Sequence, residues 1–204
     1  LGGRLRAARL RATESVRGLA RRVKVSPSLI SQIELGRVQP SVGTLYAISN
    51  ELGLSLADIF REDAPRAQVS RDRDRERGPV AVANVGPVLT SKGRKTIRLD
   101  GGVRWEQLTA TTDPHLEFLY IVYEVGGASC AEDALIRHGG NEYGYIVSGR
   151  LGCKIGFDEF ELGPGDSFTF DAQMPHRLWT IGNEPAVAIW AVLNRHGDKR
   201  KRPA

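Results

Sequence analysis

Residues 61–79 read REDAPRAQVSRDRDRERGP, a stretch with almost no large apolar residue and with alternating charge in RDRDRER. Such a segment has nothing to bury and cannot build a core, so it divides the chain into two folding units. A solvated helix through RDRDRER is the alternative to an open linker, because opposite charges recur there at helical contact spacing. The expected organisation is a first domain at 1–62, a charged linker at 63–79, a second domain at 80–194 and a basic tail at 195–204. For a chain of 204 residues this means two small domains and leaves no room for a large multidomain enzyme.

The charge is divided as unevenly as the apolar residues. The net +5 averages a basic head, with 9 Lys/Arg against 4 Asp/Glu in residues 1–60, and an acidic body, with 9 against 14 in residues 80–193. A basic head implies a polyanionic partner at that end and a different task for the rest. No apolar run approaches the roughly 20 residues of a membrane helix, so no membrane partner is expected. Cys130 and Cys153 are the only cysteines, too few for a disulfide framework, and they read as buried, inert thiols. The start at Leu1 shows no basic-then-apolar signal segment, so a cytoplasmic location is expected; the missing initiator Met reads as a start inside a longer chain.

In the head, apolar residues recur at Leu5, Ala8, Leu10, then Val16, Leu19, Ala20, Val23, then Leu29, Ile30, Ile33. These are helical spacings broken by turn signals, which predicts several short packed helices. Ser15 caps the second, Ser26 followed by Pro27 starts the third, and Gly36 stops it. Only a few residues around Lys24 and Val25 separate helices two and three, which demands a sharp crossing rather than antiparallel packing. Ser41 with Leu45, Ile48 and Leu52 predicts a fourth helix ending at Gly53, and Leu56, Ile59 and Phe60 a short fifth. The stretch VRGLARRVKVSPSLISQIELGRVQPSVGTLYAISNELGLSLADIF resembles the helix-turn-helix of phage-repressor-type (XRE-like) transcriptional regulators. The resemblance implies that helix three enters the major groove of double-stranded operator DNA, with Pro27, Ser28, Ser31 and Gln32 towards the bases. Gln32 is the candidate for bidentate adenine readout. Ser26 and Ser28 are expected at phosphate, Ser26 serving alternatively as a cap alone, and Arg37, with Arg17 or Arg21 of helix two, are the candidate phosphate clamps. Glu34 is expected in an intramolecular ion pair. Val16 stands where relatives often carry a polar groove-edge residue.

Behind the linker the pattern changes to short runs rich in β-branched and aromatic residues: VRWEQLTA, LEFLYIVYEV, EYGYIVSG, LGCKIGF, DSFTF, HRLWTIG and AVAIWAVL. Glycine and proline separate them, which predicts an all-β sandwich or barrel. Within it His138, Glu142 and His176 stand out. Gly139 and Gly140 argue for a turn rather than a helix between the first two, and only a closed barrel brings His176 near them. Two imidazoles and one carboxylate make a facial set suited to Fe(II), Mn(II), Ni(II) or Zn(II). The alternative is a hydrogen-bonded polar cluster lining an organic-ligand pocket, with Tyr145, His176 and Trp179 the residues expected to touch the ligand. Tyr143 and Trp190 read as core or wall.

HGGNEYGYIVSG and GPGDSFTFDAQMPH resemble the two cupin motifs. This resemblance implies a double-stranded β-helix barrel in which His138, Glu142 and His176 are motif residues. Ile136 replaces the first motif His and Thr180 the final Asn, which removes one metal ligand. Together the halves resemble homodimeric one-component regulators in which the barrel senses a small-molecule effector and the all-α, five-helix head binds an operator. The competing class is a metal-dependent enzyme, an iron cupin epoxidase with a helix-turn-helix-like head. Against it, such an enzyme uses a head lysine in its active site, whereas the stretch near Thr13 and Glu14 holds none and Lys24 lies in the turn. A third reading is a DNA-binding protein whose barrel only dimerises.

Overall fold

The computed structural model describes residues 1–60, 87–111, 113 and 115–193. The linker expected at 63–79, the start of the second domain at 80 and the tail at 195–204 lie outside them. Five helices come first: α1 (Gly2–Arg11), α2 (Val16–Arg22), α3 (Pro27–Glu34), α4 (Val42–Leu52) and α5 (Leu56–Phe60). Their ends follow the local chemistry. Ser15, Ser26 and Ser41 each accept a hydrogen bond from a backbone N–H of the first turn they precede, at 2.9, 3.1 and 3.2 Å, satisfying donors that have no partner inside the helix. Pro27 opens α3, and Gly53 ends α4 in the left-handed region at φ 63°, a conformation open to glycine without strain. Leu5, Leu19, Ile30, Ile33, Leu45, Ile48 and Ile59 form the buried centre of the head.

Among the described residues nine strands follow: β1 (Thr96–Leu99), β2 (Val103–Gln107), β3 (Leu116–Tyr123), β4 (Asn141–Ser148), β5 (Arg150–Ile155), β6 (Asp158–Leu162), β7 (Ser167–Asp171), β8 (His176–Ile181) and β9 (Ala186–Leu193). They make an antiparallel six-stranded sheet in the order β1-β2-β3-β9-β4-β7 and a three-stranded sheet in the order β6-β5-β8. The sheets face one another over Trp105, Leu119, Ile146, Leu151, Leu178 and Trp190, all buried, as a cupin-type barrel requires. Seven strands coincide with the runs expected from the sequence. The other two are short and lie at sheet edges. β6, DEFEL, is exposed over most of its length, so the hydrophobic alternation that reveals a strand is absent, and its acidic side chains protect an unpaired edge.

The two halves share one hydrophobic core cluster. Helix α4 lies against the barrel: Gly43 N–H donates to Ser129 O at 3.4 Å, and Asp100 N–H donates to Pro40 O, in the turn before α4, at 2.9 Å.

Candidate functional site

The head presents one polar face. Arg17, Arg21, Ser26, Pro27, Ser28, Gln32 and Arg37 are exposed and Ser31 is half-buried. Gln32 Nε2 donates to Ser28 Oγ at 3.3 Å, one helical turn back, so the two side chains stand side by side on α3. Ser26 is the N-cap, its Oγ accepting from Leu29 N–H. Glu34 is buried on the opposite side of α3. Its two carboxylate oxygens accept from Arg9 Nε at 2.6 Å and Nη2 at 2.7 Å, and Arg9 Nη1 donates to Glu14 O at 2.8 Å. This fork-to-fork pairing raises the Arg9 pKa, chiefly through the hydrogen bonds to Glu34. Arg22 is held away from the face by Glu14 and Glu51.

In the barrel the folding topology unites residues far apart in sequence. Glu142 points inward from β4, whose side chains alternate between exposed and buried; His176 opens β8 in the other sheet. His138 precedes β4 and is fixed by its N–H donating to Ala172 O at 3.0 Å. Side-chain atoms of these three residues lie within 4.8 Å of one another, and all three residues are buried. His138 Nδ1 is 3.0 Å from Gly139 O and His176 Nδ1 is 2.9 Å from Met174 O. A carbonyl only accepts, so this network assigns a proton to Nδ1 in both rings and turns each Nε2 towards Glu142. Burial lowers the His176 pKa against the raising influence of Glu142, keeping that ring neutral at pH 7. His138 Nε2 stands 2.7 Å and His176 Nε2 3.8 Å from Glu142 Oε1, yet neither Nε2 has a hydrogen-bond partner among the described residues. Glu142 Oε2 accepts from Trp190 Nε1–H at 3.2 Å. Two imidazole Nε2 atoms and a carboxylate oxygen therefore converge, and backbone carbonyls and an indole hold the rings and the carboxylate in place. That donor set fits a divalent transition metal with protein-fixed ligands.

Aromatic rings enclose the cluster. Phe170 lies edge-on to His176 with centroids 4.9 Å apart, beside a cavity of about 460 Å³ lined by Cys153, Phe160, Leu162, Phe168, Phe170 and Met174. On the other side Tyr46, from α4 of the head, stacks on His138 with centroids 4.0 Å apart and planes at 28°. Neither Tyr46 nor Phe170 stands out in the sequence as a site residue: Tyr46 belongs to the apolar stripe of α4 and reads as head core. Ile136, at the position of the first cupin His, is buried and meets α4 instead of a metal.

Tyr145 and Trp179 are not brought to the cluster, which corrects the expectation that they flank it. Tyr145 is 49% exposed on the outer face of β4, because its neighbours Gly144 and Ile146 take the inward positions of the alternating strand. Trp179 projects from the face of β8 opposite His176 and Thr180, under the Arg177 guanidinium at 4.9 Å. Thr180, in place of the motif Asn, directs its hydroxyl to the carbonyls of Glu124 at 2.6 Å and Tyr123 at 3.2 Å. Burial raises the Cys130 thiol pKa and pushes that of Cys153 up to about 12, so both are protonated at neutral pH. No helix among the described residues is long and apolar enough to cross a membrane.

Comparison with known proteins agrees with this architecture. The helix-turn-helix family profile matches residues 5–59 and the cupin-domain profile residues 113–192. The HTH-type transcriptional regulator PuuR of Escherichia coli is 25% identical over 199 residues, covering 96% of this chain and 93% of that protein. A crystal structure of an HTH_3 family transcriptional regulator from Vibrio cholerae superposes with a TM-score of 0.65 at 21% identity, covering 94% and 93% of the two chains. Hydroxypropylphosphonic acid epoxidase from S. wedmorenis aligns over 94% of this chain at 20% identity, with a TM-score of 0.43, too low to bear on function. The chain thus joins the helix-turn-helix domain of XRE-like transcriptional regulators to a C-terminal cupin domain.

Proposed function

We propose that this protein is a DNA-binding transcriptional regulator whose cupin barrel senses a small molecule and modulates binding to an operator. The observation that carries the reading is the exposed polar face of α3, with Gln32 and Ser28 side by side and Arg17, Arg21 and Arg37 exposed around it, on a head whose acidic residue in α3 is already neutralised by Arg9. In this reading Gln32 reads a base, Ser31 and Pro27 line the groove, Ser26 and Ser28 meet phosphate, and the three arginines clamp the backbone. A homodimer on a palindromic site, half-site centres about 10 bp apart, follows from two-fold symmetry.

The sensor end is the triad. His138, Glu142 and His176 would hold Fe, Mn, Ni or Zn; such an ion supplies a Lewis-acidic centre with open positions for a small ligand. Phe170, which lines the cavity, lies edge-on to His176, whereas Tyr145 and Trp179 stand on the faces of their strands turned away from the triad. The second reading, a metal-dependent oxygenase, is favoured only by the buried two-His-one-Glu arrangement. One experiment separates them. Titration of full-length protein against a random duplex pool at several salt concentrations should give salt-dependent binding and a selectable sequence. Protein that binds no DNA yet consumes oxygen with Fe(II) and a small substrate is an enzyme.

A further inference from the structure

We propose that the helix-turn-helix head supplies a wall of the barrel's site: Tyr46 is a ligand-site residue, and filling the site on its His138 side unseats α4. Tyr46 is 4% exposed. Its ring covers the face of His138 at 4.0 Å and leans on Trp105 at 5.4 Å. Gly43 lies three residues earlier on the same helix face. A Cβ built there would sit 2.5 Å from Ile136 Cγ2, so glycine lets the α4 backbone press directly on the residue two positions before His138. Gly43 N–H, a first-turn donor with no partner inside the helix, is taken by Ser129 O.

The neighbouring stripe of α4, with Leu45 and Ile48, is buried in the head, where α4 packs on α1 and α2. One helix therefore has one face on a candidate metal ligand and another in the core of the DNA-binding domain. An ion that draws the three side chains together turns the His138 ring under Tyr46, and a ligand larger than the ion needs the space Tyr46 occupies. Close-packed interiors do not yield continuously, so α4 moves as a body, and α2 and α3 with it. This deepens the regulator reading and rests on it for the consequence at DNA.

The test uses the full chain, stripped by chelator and titrated with Co(II) alone as the probe. Wild type, Tyr46→Phe, Tyr46→Ala and Gly43→Val are compared by stopped-flow visible absorption, with amide exchange followed over residues 42–52. Tyr46→Ala removes the wall and Gly43→Val pries the helix off. Both should accelerate Co(II) uptake about tenfold, the factor equivalent to roughly 1.4 kcal/mol and the size of one aromatic contact. Tyr46→Phe, which keeps the ring, should behave as wild type. In wild type Co(II) should increase exchange in α4, and in His176→Ala it should not. Uptake by the variants alone also supports the wall. Equal uptake rates in all four proteins, no uptake by any of them, or α4 exchange indifferent to bound Co(II), overturn the proposal; the exchange measurement on wild type stands even where a variant fails to fold. DNA affinity of the same preparations reports separately on the regulator reading: its absence sinks that reading and leaves the Co(II) result intact.

Discussion

Glu34 sits on α3 yet offers nothing to DNA, because Arg9 occupies both its oxygens in a buried pair. The pair orients α1 against α3, and its strength depends on both members being present. Arg9→Met leaves a buried carboxylate without its cation, which should cost about 3 kcal/mol, whereas changing Glu34 to leucine in the same protein should recover most of the loss. Urea unfolding of the single and double variants measures this; a single variant as stable as wild type would show that the head does not need the pair. At the other end of the molecule, burial keeps the Cys153 thiol neutral to about pH 12. Its ordinary ionisation, near pH 9.0, is retained in the unfolded chain, so its linkage with folding leaves stability untouched below that pH and lowers it as pH rises through the interval. Native protein at pH 8 should accordingly leave Cys153 unlabelled by a thiol reagent and label Cys130 slowly, the reverse of rapid labelling in urea.

Helix α3 illustrates how an element divides labour between its faces. Ile30 and Ile33 bury one side, the Ser26 cap and Pro27 define its start, and the exposed side is left polar. Within this division Gln32 and Arg37 should fail differently when truncated. Gln32→Ala should cost on the order of 1 to 3 kcal/mol on the selected site and relax specificity at one base position, while Arg37→Ala should weaken all sequences and reduce the salt slope by about one. Binding measured on matched and single-mismatch duplexes at three salt concentrations distinguishes the two. Equal loss on every sequence for Gln32→Ala would make it another backbone contact. Strand β4 divides its faces likewise: Glu142 and Ile146 turn into the barrel, and Tyr143, Tyr145 and Val147 turn out.

At the scale of the whole molecule the consequence of the α4 seam is reciprocity. A ligand alters operator affinity only through unequal affinity for operator-competent and operator-incompetent arrangements of the head. With a typical coupling of 1 to 3 kcal/mol, roughly 5- to 150-fold, operator DNA must change ligand affinity by the same factor. Titrating Zn(II), and any effector identified later, with and without the selected duplex should therefore give displaced curves in wild type. Coincident curves would show that the barrel does not act on the head through this equilibrium.

The five helices, the serines that start three of them and seven of the strands were legible in the sequence because each depends on short-range chemistry. Ser26-Pro27 starts a helix wherever it stands, Gly53 suits a left-handed end, and alternation marks a strand with one face buried. His138, Glu142 and His176 were legible as candidates too, through their residue types and the motif strings HGGNEYGYIVSG and GPGDSFTFDAQMPH that carry them. Local patterns carried no information where long-range placement decides. Strand β6 has no alternation, and Tyr145 and Trp179 are near the triad in sequence but on the far faces of their strands, since proximity along a strand says nothing of side unless parity is counted. Tyr46 is the sharpest case. Nothing in the α4 stripe separates a residue facing the head core from one facing the barrel, and only the tertiary structure, which seats α4 on Ile136 and His138, makes a residue of the DNA-binding head the wall of a site built almost a hundred residues later.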